Sequence, residues 1–380
     1  MKDYSNHIAI IGAGISGLAL GCMLKKANIP AIIFERSSVV SNYGAGISIS
    51  PNGRDVLSYL EVDEVISKLS GNPKKALFFS NEVKITSIPS NVITTSRKIL
   101  YKSLLEKYLQ LDGDILFDHE LIDIDCENIN IFFSNNSSFN VQHVVACDGI
   151  KSSVRAKQMP GSKDPSYSGY SVWRAIIHRS QENIETRLGP NYHIVTYPVD
   201  KSRTSFVAAI KTSKAYAESW KAKGSLEELK EDLPQESEII NSIFKEGDEL
   251  YRWGVYTRPN ITDLYSKNIT FLGDAAHPIV PFIGQGGCLA LEDAYVFGKL
   301  ASKFRNNFKK IQYSYQKIRL KRVIKIKNES ERQGFLNHLS NPLLVYSRNM
   351  FMKYTPIISS RIKKIWTYDC LLYTSPSPRD

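Results

Sequence analysis

The chain has 380 residues, 42% of them apolar, and a formal net charge of +11 from 49 basic and 38 acidic side chains. This length is too great for one small core and fits two closely joined units, and the apolar content is that of a globular protein. Five cysteines, dispersed at positions 22, 126, 147, 288 and 370, give neither a disulfide framework nor a CxxC metal spacing. This cysteine usage favours the cytoplasm, and no metal is expected. No segment approaches the roughly 20 apolar residues of a membrane-spanning helix.

The first predicted elements form a strand–turn–helix unit. An apolar strand from His7 to Ile11 runs into the turn Gly12–Gly17, a helix over Leu18–Ala27 and a second strand, Ala31–Phe34, which leads to Glu35. A GxGxxG turn alone is weak evidence, but here a strand precedes it, a helix follows it and an acid ends the next strand. The pattern therefore predicts a dinucleotide site, and the alternative is a purely structural turn.

Each part of this unit has a physical role. Gly12 and Gly14 allow the tight turn and the close approach of a pyrophosphate, and Gly17 allows the helix to pack closely on the strand. The helix N-terminus supplies N–H groups for the phosphates. Glu35 lies where a carboxylate can hold the adenosine ribose and would repel a 2′-phosphate, which favours FAD or NAD over NADP. The cofactor-binding residues predicted here are Gly12, Gly14, Ser16, Gly17, Glu35 and Arg36.

Beyond this unit, the predicted elements change from mixed to sheet-rich and then to helical. βαβ organisation extends to about Asn72, and a helix over Ile99–Gln110 precedes short strands near residues 115–117, 123–126, 130–133 and 142–146. After Pro160, β-branched and aromatic runs predict an antiparallel sheet, with one helical insert near residues 214–233. From Leu289 onward the pattern is mainly helical.

A second glycine-rich motif decides between FAD and NAD. An apolar strand after Asn268 ends at Gly273-Asp274, and the loop Pro281–Cys288 leads into a helix beginning at Leu289. A strand, an acid, a glycine-rich loop and another helix N-terminus make a second place to hold an extended cofactor. NAD needs only one such place, so the two motifs together predict FAD.

We therefore expect an α/β protein with a Rossmann-type FAD-binding domain interleaved with an antiparallel β-sheet substrate domain, followed by a helical C-terminus. The predicted boundaries are residues 1–72, 96–158 and 266–300 for the FAD-binding domain, 73–95 and 159–265 for the substrate domain, and 301–369 for the helical segment. Residues 370–380 are interpreted as a Ser/Pro-rich tail that is either non-native or disordered.

Two further stretches match a known family together with the two glycine motifs. They are Gly44–Ile47, followed by a helix opening at Pro51, and Cys147–Arg155. With these matches the sequence resembles the single-component (class A) FAD-dependent aromatic-ring hydroxylases, built on the fold of para-hydroxybenzoate hydroxylase. The run Gln285–Cys288 with Glu292-Asp293 looks closest to the branch that contains bacterial urate hydroxylases and plant zeaxanthin epoxidases.

The resemblance implies a role for each matching residue. Asp274 would accept hydrogen bonds from the ribityl chain, and Arg97 would contact the flavin side chain. The amides of Gly286 and Gly287, at a helix N-terminus, would face the flavin pyrimidine edge, where reduced flavin carries negative charge. Asp148 would lie near the pyrophosphate. The remaining implied positions are Gly46, Gly273, Pro281 and Gly284 for the cofactor and Arg174, Pro281 and Gly286 for catalysis.

The candidate substrate pocket draws on the β-rich region and the second glycine loop. Its predicted residues are Arg174, Tyr192, Tyr197, Phe206 and Phe282. Alternation along Val172–His178 places Arg174 on one face of a strand and Trp173 on the other, and only one face can meet the flavin. If it is the Arg174 face, the guanidinium could bind a carboxylate or phenolate. The alternative is an arginine paired at a domain interface.

The same resemblance implies an FAD-dependent monooxygenase. In such an enzyme NADH or NADPH would bind transiently and reduce FAD, reduced flavin would add O2 at C4a, and the hydroperoxide would hydroxylate or epoxidise a small aromatic or other electron-rich substrate. The alternatives are a flavin-dependent reductase or quinone-ring hydroxylase on the same fold, and a membrane-surface flavoprotein redox sensor. Tryptophan occurs only at positions 173, 220, 253 and 366, so the Trp-x-Trp element of flavin halogenases is absent.

Most of the excess positive charge lies near the C-terminus. Between Lys299 and Lys364 there are 17 Lys or Arg residues against two acids. One interpretation is a solvated helix face. The other is weak association with an anionic membrane surface, with Leu343–Tyr346 and Ile357-Ile358 entering the lipid. A nucleic-acid partner is not expected, because charge alone gives only non-specific binding. Either a monomer or a homodimer fits the sequence.

Overall fold

The computed structural model describes residues 3–38, 45–159, 164–217, 222–245 and 247–370. Its strands are β1 (Ile8–Ile11), β2 (Ala31–Phe34), β3 (Gly46–Ile49), β4 (Lys75–Ser80), β5 (Val83–Pro89), β6 (Ile93–Ser96), β7 (Asp114–Leu116), β8 (Leu121–Asp125), β9 (Asn130–Phe133), β10 (Ser138–Asn140), β11 (His143–Ala146), β12 (Ser166–Ile177), β13 (Ile184–Gly189), β14 (Tyr192–Pro198), β15 (Thr204–Lys211), β16 (Lys223–Gly224), β17 (Leu250–Thr257), β18 (Tyr265–Ser266) and β19 (Ile269–Phe271). Its α-helices are α1 (Ile15–Lys26), α2 (Pro51–Tyr59), α3 (Asp63–Lys68), α4 (Arg97–Gln110), α5 (Ser153–Gln158), α6 (Leu226–Asp232), α7 (Ser237–Ile243), α8 (Gly286–Phe304), α9 (Phe308–Asn337), α10 (Pro342–Tyr354) and α11 (Ile357–Trp366).

A six-stranded sheet carries both glycine motifs. Its strand order is β18-β19-β11-β1-β2-β7, and every pair is parallel except β18 with β19. Strands β1, β2 and β11 are buried along their whole length, as is usual for parallel strands covered on both faces. Helix α1 packs against α4 and α8. The ends of β1 and β19 therefore place the fingerprint turn and the Gly273-Asp274 turn on the same edge of the sheet.

An eight-stranded sheet forms the second layer, in the order β16-β17-β12-β15-β14-β13-β4-β5. It is antiparallel except for the parallel pair β4 and β13. Helices α6 and α7 cover one of its faces, where Leu229 and Ile240 join an apolar cluster with Trp173 and Phe206. A two-stranded sheet, β3 with β6, and a three-stranded sheet, β8 to β10, complete the strands.

The predicted α/β class, the Rossmann-type half, the largely antiparallel sheet and the helical C-terminus are confirmed by these elements. The predicted helical insert near residues 214–233 differs in part, because Lys223–Gly224 pairs with β17 and, among the residues of this stretch that the structure describes, the helix covers Leu226–Asp232. Ser225 and Glu228 form a capping box that fixes the start of this helix. Helix α1 begins at Ile15, three residues before the predicted start.

The end of the chain also differs from the sequence prediction. Cys370, the first residue of the predicted tail, is buried in the main apolar cluster and so packs with the fold. The rest of that tail, residues 371–380, lies outside the described residues. In the part of the chain that the structure describes, no helix is both long and apolar enough to cross a membrane.

Candidate active site

The fingerprint turn leaves one glycine facing open space. Gly12 has φ of +103°, and a Cβ at this position would lie 2.6 Å from the carbonyl oxygen of Cys147. A Cβ on Gly17 would collide with the carbonyl oxygen of Gly12, so α1 packs directly on the end of β1. Gly14, by contrast, has no atom within 4 Å of an added Cβ. The turn thus presents an open position in front of the free N–H groups of α1, as a phosphate site requires.

Glu35 lies beside the same turn and also stabilises it. Its Oε2 accepts a hydrogen bond from the Ala13 N–H at 2.8 Å, and its Oε1 accepts one from the Ser37 N–H at 2.9 Å. A carboxylate has about four acceptor sites, so two remain for ribose hydroxyls. Arg36, the neighbouring predicted contact, is exposed.

The Gly273-Asp274 turn meets the fingerprint at Ser16. Gly273 has φ of +57°, and a Cβ there would collide with the Ser16 Oγ. The Gly273 N–H donates to the Asp293 Oδ2 at 2.9 Å, which fixes the turn from the α8 side. Burial lowers the pKa of Arg97, and the negative charge of Asp274 opposes that shift. The structure therefore places the Gly273-Asp274 turn next to Ser16 and places Arg97 within reach of the charge of Asp274.

The N-terminus of α8 packs on β3. A Cβ on Gly287 would lie 2.7 Å from the Ile47 Cδ1, and one on Gly284, whose φ is +63°, would lie 2.5 Å from the Ser48 Oγ. Gly286 is different, because no atom lies within 4 Å of an added Cβ. The first turn of α8 contains no acidic residue, so its N–H groups keep their full positive potential. This is a second open position at a helix N-terminus.

Asp148 adds a buried carboxylate next to the fingerprint turn. Its Oδ2 accepts a hydrogen bond from the Val154 N–H at 3.3 Å, and burial raises its pKa. Its Oδ1 is buried and has no hydrogen-bond partner among the described residues. Gly149, with φ of +81°, leaves open space beside it. An unsatisfied buried carboxylate oxygen costs stability unless a bound group supplies a donor.

One face of the eight-stranded sheet turns towards β3, and Arg174 and Tyr197 lie on it. The Arg174 Nη1–H donates to the Gly46 carbonyl oxygen at 3.4 Å, and the guanidinium lies 5.4 Å from the Trp253 ring centroid. A Cβ on Gly46 would lie 2.8 Å from the Tyr197 Cε2. Burial raises the pKa of Tyr197, and the charge of Arg174 opposes that shift. We call this surface the Arg174 face. According to the register of β12, β14 and β15, its residues include Arg174, His193, Val195, Tyr197 and Ser205.

The loop before α8 covers the same face. The Pro281 carbonyl oxygen accepts from the Gly284 N–H at 3.1 Å, which closes a tight turn. The Phe282 ring lies 4.9 Å from the Tyr170 ring and 5.3 Å from the His193 ring, each edge to face. Pro281 and Phe282 thus connect the α8 N-terminus with the Arg174 face.

Tyr192 and Phe206 were predicted to line the substrate pocket, and this prediction is wrong. Both point to the opposite side of the sheet, the Phe206 face, where Trp173 also lies. The Phe206 ring packs 4.9 Å from the Phe244 ring, and the Tyr192 hydroxyl donates to Glu236. Successive residues of a strand alternate between faces, so these side chains cannot share a surface with their neighbours His193 and Ser205.

A family model described as "FAD binding domain" matches residues 5–330. The chain belongs to this family. The predicted family resemblance is confirmed, since the relatives of this flavoprotein are aromatic-ring hydroxylases and monooxygenases.

Similar proteins match the flavoprotein over most of its length. The 3-amino-4-hydroxybenzoate 2-monooxygenase PtmB3 of Streptomyces platensis is 26% identical over 89% of this chain and 91% of its own. The 3-hydroxybenzoate 6-hydroxylase 1 of Aquipseudomonas alcaligenes is 25% identical over 76% of this chain and 79% of its own. The structure of Klebsiella pneumoniae HpxO with FAD and uric acid superposes with a TM-score of 0.82 at 21% identity, covering 97% of both chains, and so shares the fold.

The flavoprotein is an FAD-dependent monooxygenase, and its residues fit the cofactor. The open positions at Gly14 and Gly286 mark two helix N-termini suited to negative charge. The Asp148 Oδ1, which has no hydrogen-bond partner within the described part of the chain, lies at the fingerprint end, and Arg97 lies close to Asp274 of the second motif.

Sequence reasoning missed a buried ion network behind the Gly273-Asp274 turn. Arg319 binds Glu292 at 2.6 Å and Asp293 at 2.7 Å, and the Arg322 Nη2 binds Glu292 at 2.9 Å. The His277 Nε2 also contacts Asp293, at 2.5 Å. Burial raises the pKa of Asp293, but the charges of His277 and Arg319 outweigh burial and hold it at about 2. The network ties α9 to the Gly273-Asp274 turn. In the sequence, the pair of arginines three residues apart is the feature that could have indicated it.

A histidine pair on the Arg174 face was also missed. The His193 Nδ1 and the His338 Nε2 are 2.6 Å apart, so one ring donates its N–H to the other. Burial lowers the pKa of His193 to about 4 and that of His338 to about 2, so both rings are neutral near pH 7. Phe282 packs against both rings. The two residues are 145 positions apart, and no local pattern links them.

Proposed function

We propose that the protein oxygenates a small, electron-rich aromatic compound held between the Arg174 face and the flavin ring. The observation that carries this proposal is the position of Arg174 and Tyr197 beside Gly46 on β3, the strand that also packs on the N-terminus of α8. Substrate and flavin ring would then share one buried place. The overall reaction is substrate–H + O2 + NAD(P)H + H⁺ → substrate–OH + NAD(P)⁺ + H2O.

Residues from both glycine motifs would hold FAD in this reaction. The fingerprint turn at Gly14 would take the pyrophosphate, and Glu35 would take the adenosine ribose. Asp274 and Arg97 would hold the ribityl part of the cofactor. When bound, FAD accepts hydride from NAD(P)H and activates O2 as the oxygen donor. The N–H groups of α8, which begins at Gly286, would stabilise the negative charge of the reduced flavin.

Arg174 would give the site its preference for anionic aromatics. Its side chain is half-buried, so an incoming carboxylate or phenolate would form charge-assisted hydrogen bonds largely away from bulk water. Tyr197 lies beside it and would donate a second hydrogen bond from its hydroxyl. The names of the Streptomyces and Aquipseudomonas relatives, which act on hydroxybenzoates, support a substrate that carries a carboxylate and a phenol.

The test is NAD(P)H oxidation by the FAD-loaded protein in air, with a panel of aromatic acids, phenols, purines and polycyclic or isoprenoid compounds. We expect a hydroxybenzoate-like compound to accelerate oxidation strongly and to yield a hydroxylated product. The control is Gly14→Val, because the residue has ordinary extended backbone angles and the added side chain enters open space. This variant should keep its circular dichroism spectrum but purify without flavin.

Four outcomes would contradict parts of the proposal. If a compound stimulates NAD(P)H oxidation without an oxygenated product, that compound is an effector and not the substrate. Turnover of a panel compound without O2 would favour a reductase on the same fold. If flavin binds but the protein neither oxidises NAD(P)H nor modifies any compound, the redox-sensor alternative would replace the monooxygenase. Full flavin in Gly14→Val would remove the role given to the fingerprint turn.

We also propose that the reaction takes place in the cytoplasm, with NADH or NADPH as a transient partner and no nucleic acid. Cys22, Cys126, Cys147 and Cys288 are thiols, which supports a reducing compartment. Cell fractionation with a tagged protein tests this placement. The domain boundaries given above and a monomeric or homodimeric state remain predictions, which limited proteolysis and light scattering would test.

A further inference from the structure

Helix α10 presents a continuous apolar surface to solvent. Its exposed large apolar residues are Leu343, Leu344, Tyr346, Met350, Phe351 and Tyr354. We call these six residues the α10 apolar face. Leu343, Tyr346, Met350 and Tyr354 follow each other at intervals of three or four residues, so they form one stripe along the helix. Leu343 is 76% exposed and Phe351 is 59% exposed. Single exposed apolar side chains are common, but six of them on one face of a helix mark an interaction surface.

The helix that carries this face is capped at its start and is joined to the rest of the molecule by Arg348. The Asn341 side chain caps its first turn by accepting from the N–H groups of Leu343 and Leu344. On its inner side the Arg348 guanidinium donates to the Leu336 carbonyl oxygen at 3.1 Å and to the Ser80 Oγ at 3.3 Å. The outer face is therefore displayed by a preformed helix, which costs little conformational entropy when it binds.

Charge decides which partner fits the face. Residues 340–364 contain five basic side chains and no acidic one. Of these, Lys353, Lys363 and Lys364 are exposed, and none of them makes an ion pair with another described residue. Two copies of this surface brought together by a two-fold axis would place like charges next to each other. An anionic lipid surface instead complements both the apolar stripe and the lysines.

We propose that the α10 apolar face docks the protein on a membrane surface that contains anionic phospholipid. Leu343, Phe351 and their neighbours enter the boundary between head groups and acyl chains, and the three lysines contact the head groups. Tyr346 and Tyr354 have the amphipathic aromatic rings that favour this boundary. The proposal uses none of the residues proposed to bind substrate or FAD, so it does not depend on the substrate class proposed above.

Flotation with lipid vesicles tests the proposal on the full-length, FAD-loaded protein. We expect co-flotation with vesicles of phosphatidylcholine and phosphatidylglycerol and much weaker binding to phosphatidylcholine alone. The double variant Leu343→Ser/Phe351→Ser should lower the partition coefficient by about tenfold or more, since it removes two inserting side chains. The matched control is Leu109→Ser/Tyr313→Ser, which replaces side chains that are 53% and 62% exposed elsewhere and should bind like the wild type.

The charges are tested separately. Each of Lys353→Gln, Lys363→Gln and Lys364→Gln should lower binding to the anionic vesicles by about fivefold at low salt, and added salt should reduce the effect. Flavin content and the circular dichroism spectrum of every variant should match those of the wild type. Equal binding to neutral and anionic vesicles would overturn the role of the lysines.

Two other results would overturn the docking proposal itself. One is the absence of binding to either kind of vesicle. The other is a dimer, seen by light scattering, that Leu343→Ser/Phe351→Ser dissociates while the control double variant does not. That result would assign the α10 apolar face to contact between two copies of the chain.

Discussion

Alternate residues of β12, β14 and β15 point to opposite sides of the eight-stranded sheet, and the two sides have different chemistry. The Phe206 face carries Trp173 and Phe206, which pack into an apolar cluster under α6 and α7. The Arg174 face carries Arg174 and Tyr197 beside β3, and His193 paired with His338. Both faces are buried, so burial alone does not distinguish them.

The difference shows that one sheet can carry the residues that stabilise the fold on one face and the residues expected to bind substrate on the other. Buried apolar side chains stabilise the fold in proportion to the area they remove from water. Buried polar and charged groups cost free energy unless they are paired, and they persist mainly where function requires them. We therefore expect substitutions on the Phe206 face to change stability and those on the Arg174 face to change kinetics and pH dependence.

The largest expected effect is on the Phe206 face. Phe206 is fully buried, so Phe206→Ala should lower the free energy of unfolding by about 3–5 kcal/mol, through lost burial and the cavity that remains. Chemical denaturation monitored by circular dichroism measures this change. The KM of the folded variant for the aromatic substrate should stay at the wild-type value. A raised KM with unchanged stability would mean that the two faces are not separate in function.

The next effect is a pH dependence that belongs to the Arg174 face. Because burial lowers the pKa of His193 to about 4 from its ordinary 6.5, the unfolded chain binds more protons than the folded one below about pH 6.5. Stability should thus be full above that pH and fall as the pH drops towards 4, by about 2 kcal/mol at pH 5 from this residue alone. The double variant His193→Asn/His338→Asn should lose less stability between about pH 7 and 5.

His143 serves as the internal reference for that measurement. It is buried in the six-stranded sheet, and burial lowers its pKa to about 3, so it contributes a similar loss in both proteins. The difference between wild type and double variant therefore reports on His193 and His338 only. Identical pH profiles would show that the pair does not titrate on unfolding as described.

A smaller effect is expected at Arg174 itself. Arg174→Ala should raise the KM for an anionic aromatic by roughly 10- to 100-fold while FAD stays bound, because a charge-assisted hydrogen bond is lost. Arg174→Lys should restore only part of the affinity, since it lacks the planar guanidinium. Steady-state kinetics measures both variants, with Arg187→Ala, which lies on the same sheet and pairs with Glu82, as the control. Unchanged kinetics in Arg174→Ala would leave the residue a structural role at the interface with β3.

The smallest expected effect is at Tyr197. Tyr197→Phe removes one hydroxyl and keeps the ring that packs beside Gly46. We expect the KM to rise by about two- to tenfold, the range for loss of one neutral hydrogen bond, with no change in the thermal midpoint. An effect as large as that of Arg174→Ala would mean that the hydroxyl also contributes to a charged interaction.

The cofactor half of the molecule could be predicted from the sequence because its geometry requires particular residue types at neighbouring positions. Gly12 and Gly273 adopt positive φ angles that other residues rarely take, and each precedes a helix or turn with free N–H groups. Glu35 follows its strand directly. Each of these residues lies within a few positions of the strand or helix that it serves, so the local sequence pattern alone indicated a cofactor site.

The substrate side could be predicted only in part. Alternation indicated that Arg174 and Trp173 lie on different faces, but β14 and β15 are buried almost throughout, so no change from apolar to polar residues showed which face was which. Tyr192 and Phe206 were assigned to the wrong face for this reason. The contact between His193 and His338, like that between Glu292 and Arg319, forms only when distant segments pack together.

The ion network behind the Gly273-Asp274 turn also sets how much of the chain must be synthesised before the fold is stable. Arg319 lies 26 residues after Asp293, and Arg322 lies 30 residues after Glu292, so the acids leave the ribosome before their counter-charges. Burying the acids without these arginines would cost about 3–5 kcal/mol. A chain stopped after α8 would therefore contain every nucleotide-binding motif but lack a stable turn at Asp274. The first 300 residues are not a transplantable flavin module for fusion proteins.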